Sequence, residues 1–189
     1  PFEHLLTVGL LVIVMLGGIS CSSTNEIKPS KSFYQLQTLP VSLQNKVFLE
    51  SLTFAQAEQQ TEQQALLIQI ETQQQTLSLG AMTYSGLPVM QAKWHSSKGL
   101  VGFSSTVFDK KMILRILRDI QLVKWPDESI KSGLAPGYEL LSVKSSMEER
   151  MRTIHYADKT IIKITYSGKK VVLINTSENY QLTIEQVNE

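Results

Sequence analysis

The strongest constraint in this chain is alternation. Leu66, Ile68 and Ile70 share one parity, while Gln69 and Glu71 share the other. A repeat of two belongs to a strand, whose successive side chains point to opposite faces; a helix would need apolar residues at i, i+3 and i+4. The alternation returns in TLSLGAMT (76–83), where Leu77, Leu79 and Ala81 lie together. It returns again in LPVMQAKW (87–94), which sets Met90, Ala92 and Trp94 against Gln91 and Lys93. The turn-forming YSG and HSSKG separate these segments, LVGFSS follows, and VFLESLTF (47–54) precedes them, so the first half reads as an antiparallel meander. The glutamines before Leu66 fall at hairpin ends and on a solvated strand face.

The second half repeats the pattern in YELLSVK, ERMRTIHYA, KTIIKITY and KVVLINT, and in NYQLTIEQV, where Tyr180, Leu182 and Ile184 share a face. One segment has helical period. In DKKMILRILRDIQL, Met112, Ile113, Ile116, Leu117 and Ile120 form a stripe, which predicts a helix over 109–122 with Asp109 as N-cap and Pro126 beyond its end. The fold class is therefore mainly β (α+β), with about nine to eleven strands and one or two helices; a sheet of that size curls, and the helix fills its concave side.

The search for chemistry returns little. Neither His95 nor His155 has a His, Cys or acidic partner at metal-ligand spacing, no glycine stretch has a phosphate-cradling context, and no GxSxG is present. The chain reads as a non-enzyme with no cofactor and no metal. A formal net charge of +1 gives no field to attract nucleic acid. What remains is apolar surface. Leu79, Met90, Trp94, Phe103, Ile113, Ile116, Leu117, Ile120 and Trp125 line the space between sheet and helix, as a packed core or as a cavity suited to an acyl chain.

The N-terminal region has its own logic. From Leu5 to Leu16 runs an apolar stretch of about a dozen residues, short of the roughly 20 needed to span a bilayer and close to the core of a secretory signal. Gly17, Gly18 and Ser20 lead into Cys21, the single cysteine, and Ser22, Ser23, Thr24 and Asn25 follow it. This resembles a bacterial lipoprotein signal with its lipobox, which implies cleavage before Cys21 and lipidation of its sulfur. Three parts are expected: a signal peptide at 1–20, whose charged start lies upstream of Pro1, a lipidated tether at 21–32, and one domain at 33–189.

The order of these signals, with GAMTYSGLPVMQAKW, ILRDIQLVKWP and NTSENYQLTIE as the most telling stretches, resembles a family of small bacterial lipoproteins whose genes accompany aryl-polyene pigment biosynthesis. That family is in turn similar to LolA and LolB, the lipoprotein carrier and receptor. The resemblance implies an unclosed antiparallel β-barrel with capping helices around an apolar cavity. It also implies a membrane-contact loop at TYSGLP, where the exposed leucine of LolB-like proteins falls on Ser85, flanked by Tyr84 and Leu87. The function implied is that of a lipoprotein anchored on the periplasmic face of the outer membrane, binding a lipid, a lipoprotein or an aryl-polyene lipid. Its partners would be that membrane, the acylated ligand, and a periplasmic carrier or pigment-pathway proteins. The alternative is a lipid-anchored, non-catalytic scaffold with a filled interior.

Overall fold

A computed structural model describes residues 33–56, 65–146 and 149–187. The proposed signal peptide, Cys21 and its tether lie outside them. Ten strands run in sequence order: β1 (Lys46–Gln56), β2 (Ala65–Gln73), β3 (Thr76–Thr83), β4 (Pro88–His95), β5 (Gly99–Ser105), β6 (Tyr138–Lys144), β7 (Glu149–Tyr156), β8 (Lys159–Ser167), β9 (Lys170–Asn175) and β10 (Tyr180–Gln186). Two helices, α1 (Lys110–Lys124) and α2 (Asp127–Gly133), separate the two five-stranded meanders. β10 pairs antiparallel with β1, which fuses the meanders into one sheet with order β5-β4-β3-β2-β1-β10-β9-β8-β7-β6. The sheet therefore has two free edges, β5 and β6, and α1 and α2 connect them: an open, barrel-like antiparallel sheet.

The alternation read from the sequence becomes the inner face. Across the first meander, Ile70 pairs with Leu79, Leu79 with Ala92 and Ala92 with Phe103; one layer along, Ile68 pairs with Ala81 and Ala81 with Met90. In the second, Ile154, Ile162, Ile164 and Leu173 are buried, and Leu182 and Ile184 continue the face into β10. Tight turns set this register. Between β8 and β9 the chain reverses at Gly168, whose φ of +55° lies in the left-handed region that a residue without Cβ adopts freely. A bulge between Lys93 and Trp94 shifts the β4–β5 pairing: Lys93 faces Gly102 and Trp94 faces Leu100. Val101 becomes the extra residue, and Leu100 and Phe103 both fall on the inner parity.

α1 begins where Asp109 caps it, its Oδ1 accepting from the Met112 amide at 2.8 Å. Of the expected stripe, Ile113, Leu117 and Ile120 are buried and Met112 and Ile116 half-buried. In its second half the helix is buried on every side, from Leu117 to Val123 without interruption. The curled sheet covers one side of it. On another lies a strap, residues 33–39, held by side chains and by a single backbone bridge, Tyr34 to Leu134, rather than by a strand ladder. Buried Gln121 accepts from the Gln37 amide at 2.8 Å and donates to the Gln37 carbonyl at 3.0 Å. Trp125 Nε1 donates to the Thr38 carbonyl at 2.9 Å, and Ser96 Oγ accepts from the Leu39 amide at 3.1 Å. At the strap's start, the Gln35 amide donates to the Gly133 carbonyl at 2.8 Å. A Cβ on Gly133 would sit 2.5 Å from the Tyr34 ring and 2.6 Å from the Gln35 carbonyl oxygen, so only glycine allows this approach.

The C-terminus of α1 is satisfied from the sheet. Arg152 of β7, 2% exposed, donates through Nη1 to the carbonyls of Leu122 (2.8 Å) and Val123 (3.1 Å), and through Nη2 to that of Trp125 (2.8 Å). Its Nε lies 2.8 Å from Asp127 Oδ1. A buried cation here complements the negative end of the helix and the carbonyls that no further turn can satisfy.

Candidate ligand cleft

Along one flank of α1 the packing stops short and leaves an open cleft of about 760 Å³. Three elements wall it: the strap at Tyr34–Leu36, the β4–β5 hairpin at Ser96, Ser97 and Gly99, and the first turns of α1. Trp94, only 3% exposed, contributes apolar surface from β4, with Leu36, Leu100 and Leu114 around it. The volume falls within the roughly 300–1,000 Å³ of small-molecule sites. Leu114 belongs here because α1 turns its buried Ile113–Leu117–Ile120 face to the core, which leaves position 114 at the cleft.

Charge is concentrated on the helix side. Lys110, Lys111, Arg115 and Arg118 line the cleft, with Glu178 from the β9–β10 turn. Glu178 bridges two guanidiniums: its Oε2 is 2.7 Å from Arg115 Nε and its Oε1 2.9 Å from Arg118 Nη1. Behind them Arg118 Nε reaches Asp119 Oδ1 at 2.9 Å, and Tyr180 accepts from Arg118 Nη2 at 2.6 Å while donating to Asp119 Oδ2 at 2.5 Å. Burial pushes the Tyr180 hydroxyl above its ordinary range and the Asp119 charge adds to this, so the phenol stays protonated and keeps donating. Burial also raises the Asp119 carboxyl, against the opposing pull of Arg118 and Tyr180. The network pins α1 to the start of β10 beside the cleft.

The sequence-derived candidates separate. Trp94 lines the cleft. Met90, Ile113, Leu117, Ile120 and Trp125 are packed in the core at 3% exposure or less, and Ile116 is half-buried. Leu79 is also buried, while Phe103, on the edge strand β5, is 45% exposed. Both border a second hollow of about 470 Å³, which opens where Gly80 and Gly102 bring no side chain and Gln69, Gln91 and Lys93 surround them. At the β3–β4 turn, Tyr84 and Leu87 are 62% and 64% exposed. Tyr84 folds back so that its hydroxyl donates to Ser51 Oγ at 2.7 Å, and Ser85 Oγ lies 2.8 Å from Thr83 Oγ1, which leaves Leu87 the outward apolar group of that turn.

Sequence reasoning missed the strap residues and the cationic flank. The strap has no periodicity to reveal it. Lys110, Lys111 and Arg115 read as the solvated face of an amphipathic helix, and only the fold shows that this face borders a cleft. Among the described residues no three His, Cys, Asp or Glu side chains converge on a metal position, and no helix is long and apolar enough to cross a membrane.

Fold and cleft define a class: a mainly β, open barrel-like antiparallel sheet with a helix in its concavity and a partly apolar cleft compatible with ligand binding. Residues 49–188 match the family described as "Protein of unknown function (DUF3261)", and the chain belongs to that family. The match runs from β1 through β10 and excludes the strap. Comparison with curated proteins finds no match.

Proposed function

We propose that this chain is a non-catalytic lipoprotein, held at the periplasmic face of the outer membrane through Cys21, that binds the apolar part of a lipid or acylated ligand in the cleft beside α1. The resemblance to LolA and LolB and to lipoproteins accompanying aryl-polyene synthesis supports transport or localisation of such a ligand. The observation that carries the reading is the cleft itself, roomy and half-open, with Trp94, Leu36, Leu100 and Leu114 presented to it while the rest of the concave face is filled. Burial of apolar chain contributes about 25 cal/mol per Å², so binding needs no covalent step and release needs only exposure to a competing apolar phase. Tyr84 and Leu87 would assist contact with that phase.

Mass spectrometry of organic extracts from the purified protein tests this. A stoichiometric acylated compound is expected from the wild type and a depleted one from Leu114→Trp, which fills the cleft from a half-buried position and so should leave folding intact. A wild-type protein that carries no such compound and takes up none from vesicles would refute the reading. The scaffold alternative draws on a different feature, Leu141 and Val143, which are 54% and 57% exposed on the edge strand β6; recovery of a protein partner crosslinked through β6, with no lipid, would favour it.

A further inference from the structure

The reading of the cleft as an apolar ligand site leaves the ligand's polar end open, and the inference drawn here rests on that reading. Among the residues lining the cleft, Glu178 is the one carboxylate against four cations, and it is already shared by Arg115 and Arg118. Asp119 is engaged by Arg118 and Tyr180, and Asp109 by its capping bond to the Met112 amide. Lys110 and Lys111 are different. Both are exposed at the cleft, and among the described residues neither has a hydrogen bond or ion pair.

Their location is unfavourable for the helix alone. They occupy the first turn of α1, the positive end of its dipole, where acidic residues are stabilising, and no acidic residue is present in that turn. Two adjacent lysines there work against the dipole, which the capping carboxylate of Asp109 offsets only in part, and such a local conflict is the kind that marks functional positions. An anion placed between them would relieve both the lysine repulsion and the clash with the dipole. It would do so at the rim, where the apolar surface of Leu114 and Leu100 begins.

We propose that the cleft takes an amphiphile with a single anionic head group, carboxylate or phosphate, whose chain lies along Trp94, Leu100 and Leu114 and whose head is held by Lys110 and Lys111. The head remains partly solvated, so the lysines select for charge more than they add affinity.

The test titrates the purified full chain with oleate, oleyl phosphate and oleyl alcohol below their micellar concentrations, reading displacement of a fluorescent fatty probe. The charged ligands are expected to bind about three- to tenfold more tightly than the alcohol. That preference should shrink as salt rises and disappear in the double variant Lys110→Gln, Lys111→Gln, which keeps its affinity for the alcohol. A preference for only one of the two charged heads would identify which anion the site takes. Equal binding of charged and neutral ligands, or selectivity that survives in the double variant, overturns the proposal and leaves the apolar reading standing. A folded chain that binds none of the three overturns both.

Discussion

At the scale of single residues, Arg152 ties the end of α1 to the sheet. It is buried, it satisfies three carbonyls at the end of α1, and it pairs with Asp127, which also pairs with Arg150. Arg152→Met removes the donors and strands the carbonyls, and should cost about 3–5 kcal/mol in urea unfolding. Lys at the same position should recover only part, because an ammonium cannot reproduce the planar fork. Asp127 contributes a pH dependence of its own. Burial pushes its carboxyl up, but Arg152 and Arg150 outweigh this and hold it below the ordinary carboxylate value. The folded state thus binds that proton less readily than the unfolded chain, so the stabilisation is full at neutral pH and is lost as pH falls below about 4. Thermal unfolding from pH 6 to pH 3 should show a steeper loss in the wild type than in Asp127→Asn. A parallel loss in the two would exclude this ion pair as the cause. The role of Arg152 was not legible in ERMRTIHYA, where it reads as one more charge in a strand, since which carbonyls it meets depends on a helix about 30 residues earlier.

At the scale of elements, strands and helix were legible to within a residue or two because burial of one face, along most strands and along the Ile113–Leu117–Ile120 stripe of α1, writes its period into the sequence. The strap was not. It is positioned by the Gln121 amide, the Ser96 hydroxyl and the bare backbone of Gly133, and none of these leaves a repeat. This makes Gly133 a sharp probe. Gly133→Ala drives a methyl into the Tyr34 ring and the Gln35 carbonyl, and overpacking of this kind costs about 1–3 kcal/mol. Displacing the strap would expose Trp125, whose indole bonds the Thr38 carbonyl, and remove one wall of the cleft. Tryptophan emission should therefore shift to the red, with the sheet signal in circular dichroism unchanged. An unshifted spectrum at normal stability would show that the strap tolerates the methyl.

At the scale of the whole molecule, the alternation fixed which side of each strand faces inward but not which strands meet. Pairing of β1 with β10, which makes one sheet from two meanders and leaves the seam between β5 and β6, is a long-range choice that no local pattern records. The resemblance supplied an unclosed barrel where periodicity alone stopped at a curled sheet. It also implied a cavity among the inward residues. The structure places most of those residues in the packed core and leaves the open volume along the helix flank, with Trp94 the candidate that reaches both.

Photolabelling with a diazirine-bearing fatty acid, followed by mapping of the modified peptides, tests the central claim most directly, because it asks where in the molecule a chain lies. Labels should concentrate on Leu36, the Trp94–Leu100 hairpin and Leu114, and excess oleate should suppress them. Labels scattered over the outer face at Leu141, Val143 and Met151, or labels that oleate does not displace, would contradict a ligand site beside α1.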